Sequence, residues 1–244
     1  MRYRAVIFDL FGTLVDSYSR RAYQAMLAQM AAQLGADAQA FALLWDESFP
    51  ERASGALPDA ETAVRTLCAR LGVQPEPEQV QAAVAMRLAY TQRTLVPREG
   101  AIETLRALRQ SGLRIGLISD CTWEVPRLWD ATPFAELFDA TIFSCTVHLK
   151  KPDPAIYRLA CERLEVAPAD CLYVGDGSSH ELSGAAQVGM TPLLIRTLQE
   201  EAEDAHRAEE DQWSGPRIAS LPEVLRFALT EDYCQRIGET DYTD

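Results

Sequence analysis

Residues 5–16 read AVIFDLFGTLVD, and the order of residue types in this stretch predicts both a strand and a site. Ala5 to Phe8 is a short apolar run of the kind a buried parallel strand needs. Asp9 ends it, and Gly12 with Thr13 turns the chain immediately beyond. Open α/β sheets place their chemistry at the C-terminal ends of parallel strands. A carboxylate there is a candidate nucleophile. Two residues on, where a second carboxylate could share its face and donate a proton, stands Phe11.

Outward from this stretch, further strand-like runs recur at 113–118, 139–143, 171–175 and 192–195. Helical spacing fills 100–111, 152–165 and 180–188 between them. Alternating strands and helices predict βαβ units and a parallel sheet. Residues 17–96 break that rhythm with helical periodicity alone, as in Tyr23, Met26, Met30 and Leu34. Gly35, the GALP stretch at 55–58, Pro75 and Pro77 divide the interval into about four helices. The expected fold class is therefore α/β: a doubly wound, Rossmann-like parallel-sheet core of residues 1–16 and 97–244. An all-α cap domain, 17–96, is inserted after the first strand, where it can act as a lid.

Parallel strands bring their C-terminal ends to one edge, so Asp9, Ser119, Lys151 and Asp176 are expected to converge in one crevice. A carboxylate to attack, another to bind a hard cation, and a hydroxyl and ammonium to hold an anion form a chemically coherent set. Lys151 draws further notice because only it and Lys150 are lysines among 23 Lys and Arg residues.

Composition narrows the partners. A formal net charge of -13 and a pI near 4.7 argue against nucleic acid or an anionic membrane as the main partner. No run approaches the roughly 20 apolar residues of a membrane span, and MRYRAVIFDL has no cleavage-site pattern. The six cysteines are scattered without a CxxC pair, as expected for reduced thiols in a cytoplasm. The acidic run at 200–211 and the tail ETDYTD read as solvated segments. The expected partner is a small anionic organic molecule, bound by a monomer or homodimer.

With these residues in place, the chain resembles the haloacid dehalogenase superfamily. DLFGT at 9–13 is similar to its motif one, Ser119 to motif two, Lys151 within KKPDPAIY to motif three, and GDGSSHEL at 175–182 to motif four. The helical insertion resembles the small cap that follows motif one in many members. The resemblance implies a covalent aspartyl intermediate on Asp9, with Ser119 and Lys151 positioning the substrate's anionic group. It also implies Mg²⁺ held by Asp9, Asp176 and the backbone carbonyl of Phe11.

Two departures pull apart. Phosphatases of the superfamily carry an Asp where this chain has Phe11, and loss of such an acid typically costs about 10²–10⁴ in rate. Its 2-haloacid dehalogenases have an aromatic residue there, because halide leaves without a proton, and they use no metal. Asp176 fits the metal-binding pattern instead, and a carboxylate without its cation would repel a carboxylate substrate. The phosphonoacetaldehyde hydrolases need a cap lysine, and 17–96 contains none. Three readings stand: a Mg²⁺-dependent phosphate-ester hydrolase, a metal-independent 2-haloacid dehalogenase, and a degenerate member that binds a phosphorylated ligand without turnover.

Phe11, Thr13, Asp120 and Tyr157 are candidate substrate contacts. Arg52, in the breaker-rich FPERASG segment, is the candidate lid residue for the substrate anion. Glu181 either supports a metal through water or favours a helix N-terminus, and His180 reads as structural or exposed. Asp16 is a hinge or cap residue. For Trp45, Trp123 and Trp129 helix packing is the default.

Overall fold

The structure, a computed structural model, describes residues 3–17, 19–196 and 213–229. The acidic run at 200–211, the ETDYTD tail and Cys234 lie outside them. Six parallel strands make one sheet in the order β3-β2-β1-β4-β5-β6. They are β1 (Ala5–Phe8), β2 (Arg114–Ser119), β3 (Ala140–Phe143), β4 (Cys171–Gly175), β5 (Thr191–Ile195) and β6 (Arg217–Ile218). The expected strands are all present; β6, two residues long, carries too little pattern to read in advance.

Alternation along β1 explains why it is buried on both faces. Val6 and Phe8 join one core cluster with Leu105, Leu117 and Val174, while Ala5 and Ile7 join another with Ile156, Tyr157 and Leu182. Helices α6 (Ala101–Gln110) and α11 (Val224–Ala228) carry the first cluster; α9 (Pro154–Leu164) and α10 (Glu181–Gln187) carry the second. Short helices α7 (Glu124–Leu128) and α8 (Ser144–Val147) follow β2 and β3. The winding reverses between β1 and β4, which pair directly with Phe8 opposite Val174. This is the topological switch point, where an open α/β sheet leaves a crevice beyond its strand ends. Asp9 and Asp176 flank it.

Between β1 and α6 the chain is helical: α1 (Arg20–Leu34), α2 (Ala38–Glu47), α3 (Phe49–Ala53), α4 (Ala60–Arg70) and α5 (Pro77–Thr94). That is five helices where about four were expected, because FPERA forms a separate short helix. The boundaries follow local chemistry. Ser19, Asp37 and Asp59 accept a backbone N–H at the starts of α1, α2 and α4, and Gly35 closes α1 in the left-handed conformation. Met30, Leu34, Trp45, Leu67 and Val80 form a cluster distinct from both sheet faces, joined from outside the insertion by Trp123. Trp45 and Trp129 are packed inside aromatic groups, as helix packing predicts.

The chain leaves and re-enters the sheet side by side. Val15 bridges Pro97 in antiparallel fashion, and Arg98 N donates to Leu14 O at 2.8 Å. The Arg98 side chain then donates to Asp16 Oδ1 (2.8 Å) and Gly12 O (2.5 Å). Asp16, at the point where the chain leaves the sheet, is thus held by an arginine 82 positions away that no local pattern marks.

Candidate active site

Four strand-end segments meet at the crevice. Lys151 Nζ, 2% exposed, donates to Asp9 Oδ1 at 2.6 Å and to Glu181 Oε2 at 2.5 Å. Potential ligand oxygens of Asp9, Asp176 and Glu181 lie within 4.8 Å of one another, and all three residues are buried. The lysine sits there because its backbone is also fixed: Lys151 N donates to Asp120 Oδ1 at 3.0 Å. Of the four strand-end residues expected to converge, Asp9, Lys151 and Asp176 are brought together here, with Asp120 joined to the Lys151 backbone and Ser119 at the end of β2.

Two glycines make the close packing of acids feasible. A Cβ on Gly12, which has φ +79°, would stand 2.1 Å from Asp176 Oδ2. One on Gly175 would stand 2.2 Å from Glu181 Oε1. Between Asp176 and Glu181, Gly177, Ser179 and His180 all adopt left-handed backbone. For Ser and His that conformation is strained, and it folds five residues tightly enough to return a second carboxylate to the same spot.

Glu181 is the residue whose importance the sequence understates. Besides Lys151, it accepts the Tyr173 hydroxyl at 2.8 Å and Gly177 N at 3.0 Å, and its carbonyl accepts the Tyr157 hydroxyl at 3.0 Å. Tyr157, expected at the substrate, instead lies fully buried against Tyr173 and Gly184, supporting Glu181 from below. Its fixed spacing on a helix could not reveal this, because the partner is a main-chain oxygen on another helix.

Three carboxylates around one ammonium leave a buried excess of negative charge, and the proton affinities record it. Burial, with repulsion from Asp176, outweighs Lys151 and lifts the Asp9 carboxyl to about 6. Burial likewise pushes Glu181 up. For Lys151, burial opposes the charge, but Asp9, Glu181 and Asp120 more than compensate and hold the ammonium well above its usual range. A hard divalent cation would neutralise the remaining two charges, and carboxylate oxygens are its preferred donors. The residues present therefore fit Mg²⁺, with Asp9 and Asp176 as ligands and Glu181 kept in place by its other contacts.

Among the buried side-chain polar atoms without a hydrogen-bond partner within the described residues are Ser119 Oγ, Thr13 Oγ1 and Asp120 Oδ2. Buried groups of this kind are normally satisfied, and an exception calls for an explanation. All three belong to strand-end segments at the crevice. Phe11 is half-buried and packs against the first core cluster.

Arg52 takes a different position from that expected. Its guanidinium, 1% exposed, lies over the Trp45 ring at 4.3 Å and donates to Trp45 O (2.7 Å) and Ser48 Oγ (3.1 Å). Nearby, Arg87 of α5 forms a buried ion pair with Glu124 of α7, which also accepts from Thr122. Arg87 and Thr122 outweigh burial and hold Glu124 below the usual carboxylate range. A cavity of about 650 Å³ opens between α1 and α5, lined by Ser17, Met26, Met86, Tyr90 and Arg93 among others. It approaches the acids through Ser17, whose Oγ would stand 3.1 Å from the same Gly12 Cβ.

A family model described as haloacid dehalogenase-like hydrolase matches residues 3–189. The chain is 31% identical to a phosphoglycolate phosphatase of Escherichia coli O157:H7, over 77% of this chain and 81% of that protein. It is 25% identical to (S)-2-haloacid dehalogenase 1 of Pseudomonas sp. (strain CBS-3), over 91% and 96%. Among solved structures, an HAD phosphatase from Thermococcus onnurineus superposes with a TM-score of 0.61 at 23% identity, covering 92% of this chain and 97% of that one. This last is a likeness of fold.

Proposed function

Since the chain belongs to the haloacid dehalogenase-like hydrolase family, we propose that it hydrolyses a small phosphate ester through an aspartyl intermediate on Asp9, with Mg²⁺ held by Asp9 and Asp176. The observation that carries this reading is the buried Asp9–Asp176–Glu181 group around a single lysine, which has more negative charge than a metal-free site needs. The phosphatase relative is consistent with it.

An Asp9 oxygen attacks phosphorus, and the leaving oxygen departs on the opposite side. Lys151, bonded to Asp9 Oδ1, orients that carboxylate and offsets charge gathering on the phosphoryl oxygens. Ser119 Oγ and Thr13 Oγ1, buried and unpartnered, are the donors available to those oxygens. Bound Mg²⁺ supplies electrostatic stabilisation of the transferring group. The Ser17 end of the cavity is assigned to the uncharged body of the substrate. The five described cysteines are unbridged, consistent with a cytoplasmic setting. No helix among the described residues is long and apolar enough to cross a membrane.

One observation favours a second reading, metal-independent 2-haloacid dehalogenation. Phe11 leaves no carboxyl at the usual proton-donor position, and the dehalogenase relative is covered over 96% of its length. A paired assay separates the two. Phosphate release from an activated aryl phosphate and halide release from 2-haloacids are measured with and without EDTA. We expect EDTA-sensitive phosphate release; EDTA-resistant halide release without phosphatase activity overturns the first reading. Asp9→Asn abolishes turnover under either.

A further inference from the structure

We propose that Cys121 and Cys145 are an oxidation site, closing to a reversible disulfide that slows turnover. The register of the sheet puts them side by side. β2 and β3 run parallel with Ser119 opposite Phe143, and each cysteine stands two residues beyond its member of that pair. The chains stay joined past the last pair. Cys121 N donates to Ser144 Oγ at 3.0 Å, and that hydroxyl lies 3.2 Å from Cys121 O, which accepts from it. Neighbouring strands lie about 4.8 Å apart, within the Cα separation of about 4.4–6.8 Å that a disulfide spans. The two side chains also hydrogen-bond each other.

Their surroundings give the two thiols different parts. Cys145 is partly exposed, whereas Cys121 is 3% exposed. The hydrogen bond from Cys121 holds the Cys145 thiol below its ordinary range, against burial and the nearby Glu124. Burial above all, and then Cys145, pushes the Cys121 thiol well up. An accessible sulfur with thiolate character meets an oxidant first, and a neighbouring thiol resolves the product. A second pair is arranged otherwise. Cys161 and Cys171 have sulfurs 3.8 Å apart, but both are buried, and Cys171 opens β4 at the far end of the sheet from Asp176. That pair has closeness without access.

The oxidant is a peroxide. The Cys145 thiolate attacks one oxygen of hydrogen peroxide, so that S–O forms as O–O breaks, and the departing hydroxide takes up the proton Cys145 released. The Cys121 sulfur then bonds to the Cys145 sulfur as S–O breaks, and the Cys121 proton leaves with the hydroxyl as a second water. The thiols lose two electrons and the peroxide gains them. A dithiol reductant reverses the change, as is typical of the transient disulfides of reducing compartments.

The bridge reaches the site through its neighbours. Asp120, next to Cys121, accepts Lys151 N at 3.0 Å, and Lys151 Nζ holds Asp9. Cys145 lies in α8, where the helical insertion is seated: a Cβ on Gly55 would stand 2.4 Å from Cys145 O, and His148 Nδ1 donates to Ser54 O at 2.8 Å. Two sulfurs must close to about 2.05 Å to bond, so bridging pulls on both segments.

The test treats the enzyme with hydrogen peroxide, alkylates the remaining thiols and maps the peptides by mass spectrometry. We expect a linked Cys121–Cys145 peptide pair, lighter by two hydrogens, that dithiothreitol removes. Turnover of the substrate class found by the paired assay should fall by about tenfold or more and return with the reductant, since misplacement by about 1 Å can cost about 10²-fold. Cys145→Ser should keep basal turnover and lose the sensitivity, whereas Cys161→Ser should retain it. A Cys161–Cys171 bridge in place of the expected one overturns the proposal. So does a Cys121–Cys145 bridge with unchanged turnover, or a Cys145→Ser variant as sensitive as the unsubstituted enzyme. The mapping needs neither substrate nor variant, so its failure is distinct from failure of the phosphate-ester reading.

Discussion

Two buried ionic groups lie among the described residues, and they are balanced in opposite ways. At the strand ends, Asp9, Asp176 and Glu181 surround one ammonium, so carboxylates are in excess. In the helical insertion and its seam with α7, the guanidiniums of Arg52 and Arg87 share the neighbourhood of one carboxylate, Glu124, among the rings of Tyr23, Trp45 and Tyr90. The first group is held by backbone N–H groups and glycine-permitted close approach; the second is held by aromatic faces. A surplus of buried negative charge is unfavourable unless a cation arrives. Guanidinium against ring faces is a packing solution that can persist unaided. The strand-end group is therefore arranged around something that binds, and Arg87–Glu124 around holding the insertion to the core.

The largest expected effect breaks the comparison at its centre. Lys151→Met leaves Asp9 and Glu181 buried without their ammonium, and we expect a loss of about 3–5 kcal/mol in urea unfolding with EDTA present. Mg²⁺ should restore part of it. A loss below about 1 kcal/mol, or no response to Mg²⁺, would show that the acids do not depend on a cation. Arg87→Met removes a single pair, with an expected loss of about 3 kcal/mol that Mg²⁺ does not restore. Adding Glu124→Leu should recover most of it; a double-mutant cycle that shows no coupling rejects the seam as an ionic fastening.

The smallest effect concerns pH. Asp9 lies at about 6 in the folded protein against 3.8 for the ordinary group, so between those values the folded state binds more protons than the unfolded. In EDTA, stability should then fall as pH rises from about 4 to about 6, and Mg²⁺ should flatten or reverse that slope. Chemical denaturation across this range checks the sign; stability that rises with pH in EDTA contradicts the arrangement of charge.

How much of this was legible beforehand depended on distance along the chain. Asp9, Ser119, Lys151 and Asp176 each end a strand-like run or precede a proline, and parallel topology then fixes where they meet. The insertion was legible from periodicity and breakers alone, though its short third helix was not. Glu181 was visible only as a helix-start acid, because its spacing from Asp176 makes sense only once Ser179 and His180 turn left-handed. Arg98, Arg87 and Glu124 carry no local signature, since their partners lie 82, 37 and 37 positions away. Arg52 was expected as a lid residue for the substrate anion, and its aromatic bed could not be read from a linear string.

The antiparallel bridge between Val15 and Pro97 makes the whole helical insertion a detour that returns the chain to where it began. Neighbours in that relation can be joined by a tight hairpin turn. The sheet is thus closed behind the insertion, with the strand order around Asp9 set by segments on either side of it. In such an architecture one contiguous stretch of chain, residues 17–96, contributes its own separate core without interrupting the sheet.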